Sequence, residues 1–130
     1  MLIGFVLLAG FSIQAGEGND YGKLLSKAKW YELADEPDSA RFYYQKALKI
    51  TNTIDSLIWV QLSIADQYIK QDSLTRAEFI FNQADKLIAQ TFLVNNSIIM
   101  RRVHVLAKIL NKKGLKDTAH ELLEKVIDTT

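Results

Sequence analysis

The sequence predicts an all-α fold, a solenoid of about three helical hairpins made from six helices. Three observations predict it. Beyond residue 20 the chain is rich in Ala, Leu, Ile, Lys and Gln, which favour helix; of its one proline and six glycines, four glycines fall in the first 18 residues. Alanines then recur at one fixed spacing in three segments. Short polar turns divide each segment in two.

The recurrence sets the register. Ala28, Ala40 and Ala47 stand in the first segment, Ala65, Ala77 and Ala84 in the second, and Ala107, Ala119 and Val126 in the third. Large apolar residues keep step: Tyr31, Tyr68 and Leu110 follow the first small residue, and Tyr44, Phe81 and Leu123 follow the second. From Ala28 to Ala65 is 37 residues, and from Ala65 to Ala107 is 42. A small residue midway along one helix lets the next approach closely, and large residues three or four positions away fill the space beside it. The turns are Asp35-Glu36-Pro37-Asp38-Ser39, Gln71-Asp72-Ser73 and Lys112-Lys113-Gly114. In the first two, Asp38 or Ser39 and Asp72 or Ser73 are expected to cap the next helix. Gly114 suits the left-handed residue that ends a helix. Helices are expected near 22–34, 38–52, 54–71, 74–91, 96–113 and 116–128, and Ile98, Ile99, Val103 and Val105 sit inside a 3.6-residue pattern rather than a strand.

The opening residues are of another kind. Residues 1–13 carry no charged side chain, and the first charge is Glu17. Small residues at Ala15 and Gly16 could admit a signal peptidase. Residues 1–15 therefore read as a signal peptide or membrane anchor, 16–20 as a linker, and 21–130 as the repeat domain, with repeats about 21–54, 58–91 and 100–130. The run is short for a membrane span of ~20 apolar residues. No Lys or Arg precedes it, as a signal peptide would prefer. A packed helix is the competing reading, weakened by Gly4, Gly10, Gly16 and Gly18. The expected localisation is export to the periplasm or cell envelope, or membrane attachment through residues 1–13.

The register resembles the tetratricopeptide repeat (TPR), whose helix–turn–helix unit reads W-x2-L-G-x2-Y, then A-x3-F, then P. The matching stretches are Leu24-x2-Lys27-Ala28-x2-Tyr31 with Ala40-x3-Tyr44, Gln61-x2-Ile64-Ala65-x2-Tyr68 with Ala77-x3-Phe81, and Val103-x2-Leu106-Ala107-x2-Leu110 with Ala119-x3-Leu123. The opening aromatic is missing from all three, Asn52 and Ala89 stand where two of the closing prolines would, and both offsets exceed the family's usual ~34 residues. The resemblance implies a right-handed solenoid whose concave face, lined by the first helix of each pair, binds a partner. Carried across, that face comprises Leu25, Lys29, Glu32 and Leu33; Trp59, Leu62, Asp66, Ile69 and Lys70; and Arg101, His104, Lys108, Asn111 and Lys112. Trp59 and Arg101 are the preferred anchors, since Trp and Arg are enriched at binding hot spots. Leu25, Lys29, Ser63 and Val105 depart from the clamp of lysine, asparagine and arginine with which some members hold chaperone tails, and Arg101 alone could match one of its basic residues.

Other chemistries find little support. The net charge of +1 does not suit non-specific nucleic-acid binding, and without cysteine there is no thiolate catalysis or cysteine–zinc site. His104 and His120 lie on different expected helices, and no glycine-rich loop follows a strand. No catalytic residue, metal or cofactor is expected. The basic strip Arg101, Arg102, Lys108, Lys112, Lys113 and Lys116 reads first as a solvated helix face. The expected function is a non-catalytic scaffold that binds a protein or peptide at the membrane or outside the cytoplasm. The alternative is the amino-terminal sensory or regulatory input region of a larger bacterial signalling protein. Apolar residues of the last expected helix, among them Leu122 and Val126, suggest that this end is covered by self-association through the carboxyl-terminal repeat, by a partner, or by further downstream sequence.

Overall fold

The computed structural model describes residues 13–91 and 94–129, with side chains over 20–91 and 94–126. Six helices follow in order: α1 (Ile13–Leu33), α2 (Pro37–Lys49), α3 (Ile54–Lys70), α4 (Leu74–Ala89), α5 (Asn96–Lys112) and α6 (Lys116–Thr129). There is no strand among the described residues. Consecutive helices pack as three hairpins, α1 on α2, α3 on α4 and α5 on α6; α2 also packs on α3, and α5 on both α3 and α4. The result is an all-α, solenoid-like stack, a six-helix arrangement consistent with a helical repeat.

The three hairpin turns have the same hydrogen bonds. Each first helix ends with a residue at positive φ: Asp35 at 58°, Asp72 at 57° and Gly114 at 85°. The next amide bonds back to the large residue of the register at 2.9 Å in every case, Glu36 to Tyr31, Ser73 to Tyr68 and Leu115 to Leu110. The positive-φ residue's own amide bonds to Glu32, Ile69 or Asn111 at 3.1, 3.0 and 3.0 Å. This pair of bonds is a Schellman ending, which satisfies carbonyls that a helix terminus leaves open. The second helix then opens with Ala40, Ala77 or Ala119 donating to Glu36, Ser73 or Leu115, each at 3.0 Å.

The small residues of the register are buried. Ala28, Ala40, Ala47, Ala65, Ala77 and Ala84 are 0% exposed, Ala107 3% and Ala119 1%. Tyr44 and Phe81 are buried too, whereas Tyr31, Tyr68, Leu110, Leu123 and Val126 are only half-buried. The core falls into two clusters that share α3. Val60 and Ile64 face back to Ala28, Ala40 and Tyr44; Ile58, Leu62, Ala65 and Ile69 face forward to Ala77, Phe81, Ala84, Ile98, Val105 and Ile109. The middle hairpin has a neighbour on each side, so α3 is covered on both faces.

Local structure departs from the sequence expectation in two places. First, α1 begins at Ile13 and runs unbroken through Gly16 and Gly18, over the expected linker. Glycine inside a helix costs about 1 kcal/mol relative to alanine, too little to end one that is propagating from a packed half. The remainder of the expected signal or anchor segment, up to Ser12, lies outside the described residues. Second, Asp38, Ser39, Asp72 and Ser73 do not supply side-chain caps: α2 and α4 start at Glu36 and Ser73 without a side-chain cap bond. The capping is done between hairpins instead. The Thr53 hydroxyl accepts from the Ser56 amide at 3.1 Å, and the Asn95 carboxamide oxygen accepts from the Ile98 amide at 2.9 Å. Within a hairpin the tight Schellman turn leaves no spare residue to adopt the extended cap conformation that Thr53 and Asn95 have.

Candidate binding groove

The first helices α1, α3 and α5 bring a set of charged and aromatic side chains together. Asp66 of α3 is its centre, 1% exposed. A carboxylate so deeply buried needs partners. Lys108 Nζ of α5 donates to its Oδ1 at 2.8 Å, and Arg101 Nη2 lies 3.7 Å from its Oδ2. Arg101 joins all three hairpins. Its Nη2 donates to Ser63 Oγ at 3.2 Å and lies 3.7 Å from Glu32 Oε2 on α1, and its guanidinium sits 5.3 Å from the Trp59 ring centre. Glu32 in turn accepts from the Tyr44 hydroxyl at 2.7 Å. The Ser63 hydroxyl donates to the Trp59 carbonyl at 2.9 Å, leaving its oxygen to accept from Arg101.

Burial, the Glu32 hydrogen bond and the Glu32 charge all raise the Tyr44 hydroxyl well above its ordinary pKa, against the opposing Arg101 charge and a Ser63 hydrogen bond. Tyr44 is therefore a neutral donor throughout the physiological range, and it fixes one Glu32 oxygen while the other faces Arg101. The set is held from several sides and does not depend on one flexible contact.

Trp59 is half-buried and lies within cation–π range of two cations, Arg101 and Lys29, whose Nζ is 5.0 Å from the ring centre. Beside it opens a hollow of about 200 Å³ bordered by Tyr21, Leu25, Lys29, Asp55, Ser56, Trp59, Asn95, Ser97 and Ile98. Asn95 Nδ2 donates to Asp55 Oδ2 at 3.2 Å and ties the start of α5 to that of α3 along the rim. Its lining combines aromatic (Tyr21, Trp59), aliphatic (Leu25, Ile98) and polar side chains, the mix found where peptide side chains seat.

Of the residues expected on the concave face, Lys29, Glu32, Trp59, Asp66, Arg101 and Lys108 come together here. Leu62 and Ile69 do not: they are 0% and 4% exposed, packed in the core with Ile98, Val105 and Ile109. A partner cannot reach them, because α5 lies over that stripe of α3. His104 and Asn111 are exposed on α5. Asp66 touches two cations from below the surface, so it organises the groove rather than presenting a charge to it. Tyr44 and Ser63 belong to the set although neither was expected on this face. Tyr44 occupies a repeat core position, and nothing in its sequence neighbourhood distinguishes its hydroxyl from that of any other core tyrosine.

Other chemistry is sparse. Among the described residues no group of three or more His, Asp or Glu side chains could hold a metal ion. His120 pairs with Glu124 at 2.6 Å on an exposed face of α6. No helix among the described residues is long and apolar enough to cross a membrane. The chain matches no protein-family profile, no curated protein and no solved structure.

Proposed function

We propose that the protein is a non-catalytic scaffold of the tetratricopeptide type that binds a protein or peptide segment in the groove of α1, α3 and α5, outside the cytoplasm or at the membrane. The observation that carries the reading is the hollow beside Trp59, whose ring also packs against Arg101 of the Asp66–Arg101–Glu32 set. Binding to a preformed surface loses little energy to ordering. Three hairpin turns with the same bonds support the repeat assignment, and the uncharged tract at 1–13 supports the location.

The test is selection of a displayed random peptide library on the immobilised full chain, followed by calorimetry of the enriched peptides. Trp59→Ala should weaken them by about 2 kcal/mol, as for a hot-spot aromatic, and Lys29→Ala by less. Enriched peptides whose affinity is unchanged by Trp59→Ala would place the binding surface elsewhere. No enrichment at all would remove the peptide-scaffold reading.

A further inference from the structure

The amino-terminal end of the stack, on the α1–α2 hairpin, has a surface of its own. Four aromatic rings run across it in a line. Trp30 meets Tyr31 edge-on at 5.0 Å, Tyr31 stacks on Tyr43 at 5.5 Å, and Tyr43 meets Phe42 edge-on at 5.1 Å. The line ends in open solvent at both sides, with Trp30 62% and Phe42 50% exposed. Lysines lie over the rings, Lys27 Nζ 5.4 Å from the Tyr43 centre and Lys46 Nζ 4.8 Å from that of Phe42. The same two lysines, with Lys23, Leu24, Ile50 and Asp20, border an open hollow of about 860 Å³.

We propose that this end face docks on an anionic membrane surface, with Trp30 and Phe42 at the headgroup level and Lys23, Lys27 and Lys46 against the lipid phosphates. Three features favour that occupant. Rings with one apolar body and a wet edge, flanked by lysines, suit the bilayer interface better than a dry protein contact. The charge of the hollow is complementary, since Lys23, Lys27 and Lys46 against Asp20 leave it positive toward anionic headgroups. A second copy apposed on the same face would instead bring both sets of lysines together, at a cost. Finally, the uncharged tract 1–13 ends at Ile13, and α1 carries the chain on from that residue. At ~1.5 Å per residue Leu24 lies only about 16 Å further along the helix. The inference rests on the reading that the chain works at a membrane, and it is independent of what the groove binds.

Trp30 and Trp59 are the two tryptophans, so Trp30 can report its own position. The full chain is mixed with equimolar phosphatidylglycerol–phosphatidylcholine vesicles whose acyl chains carry bromine, and tryptophan emission is compared with that of Trp30→Phe. The expected result is a blue-shifted, quenched component that is absent from Trp30→Phe. It should fall about tenfold or more in Lys27→Glu/Lys46→Glu, with circular dichroism unchanged. Sedimentation with the vesicles while Trp30 emission stays as in buffer would mean attachment through residues 1–13 alone, and would overturn the docking face without touching the membrane reading. Failure to sediment would overturn both. An unquenched Trp30 in a dimer that Trp30→Lys dissociates would assign the face to a second copy.

Discussion

Gly114 and Gly22 call for opposite predictions from the same substitution. Gly114 holds φ at +85° at the end of α5, and a Cβ built there meets nothing within 4 Å. Gly114→Ala therefore meets no steric neighbour and should still destabilise by about 1–2 kcal/mol, the cost of left-handed backbone for a residue with a Cβ. Gly22 lies inside α1 with equally open space around it. Gly22→Ala should stabilise by about 0.5–1 kcal/mol through helix propensity and a less flexible unfolded chain. Urea midpoints of the two variants check this, and shifts of the same sign would contradict the assigned backbone conformations. The equivalent turns use Asp35 and Asp72 at φ of 58° and 57°, so the motif accepts a short polar residue where glycine would be easier.

At the scale of the helix, the alanine register and the side-chain ion pairs affect stability in distinguishable ways. Ala77 is fully buried where α4 meets its neighbours. Ala77→Arg should cost about 3 kcal/mol or more by overpacking and by burying a charge, with little dependence on pH. Asp72 behaves differently. Its carboxylate accepts from Lys112 Nζ at 2.7 Å, and that hydrogen bond first, then the lysine charge, holds its pKa below the ordinary carboxylate value. A depressed folded-state pKa contributes stability above the unfolded value of ~4 and loses it as pH falls through the folded value. The difference in melting temperature between the parent and Asp72→Asn should therefore narrow below pH ~4, and narrow also in high salt. A gap that widens on acidification would show that Asp72 acts through something other than Lys112. These two residues also mark what was legible in the sequence. Helix number and type, and the burial of the alanines, follow from a spacing that repeats three times. For the expected face, periodicity gives the side of a helix but not what lies over it. Leu62 and Ile69 share a side with Asp66, yet α5 covers them as core, while Asp66 is drawn inward by two cations from a helix about 40 residues away in the chain. Caps were misplaced for a similar reason, since Asp72 has a partner that only the tertiary fold supplies.

A stack of hairpins is a one-dimensional object, and each hairpin is stabilised by the faces it shares with its neighbours. The middle hairpin has two such faces, which is why most of α3 from Ile58 to Ile69 is buried. Among the described residues the first and third hairpins have one each, and apolar surface gathers on their outer sides. At the amino-terminal end that surface is aromatic and lysine-rich. At the other end it is aliphatic. Leu122, Leu123 and Val126 of α6 are only half-buried, and Leu115, just before it, is 48% exposed. Among the described residues no helix follows α6 to cover this face. Exposed aliphatic surface costs ~25 cal/mol per Å² relative to a covered one, so even a modest patch provides a drive toward association. Opposite charges are interspersed there, with Glu121, Glu124 and Lys125 on α6, so like charges do not oppose a pairing as they do at the amino-terminal end. A chain trimmed to residues 13–130, which keeps all six helices, should therefore show a light-scattering mass above that of the monomer at high concentration. Leu122→Lys should return it to the monomer and remove any dependence of melting temperature on concentration. A trimmed chain that stays monomeric at every concentration, with a melting temperature unmoved by Leu122→Lys, would mean that α5 and α6 shield this end between them.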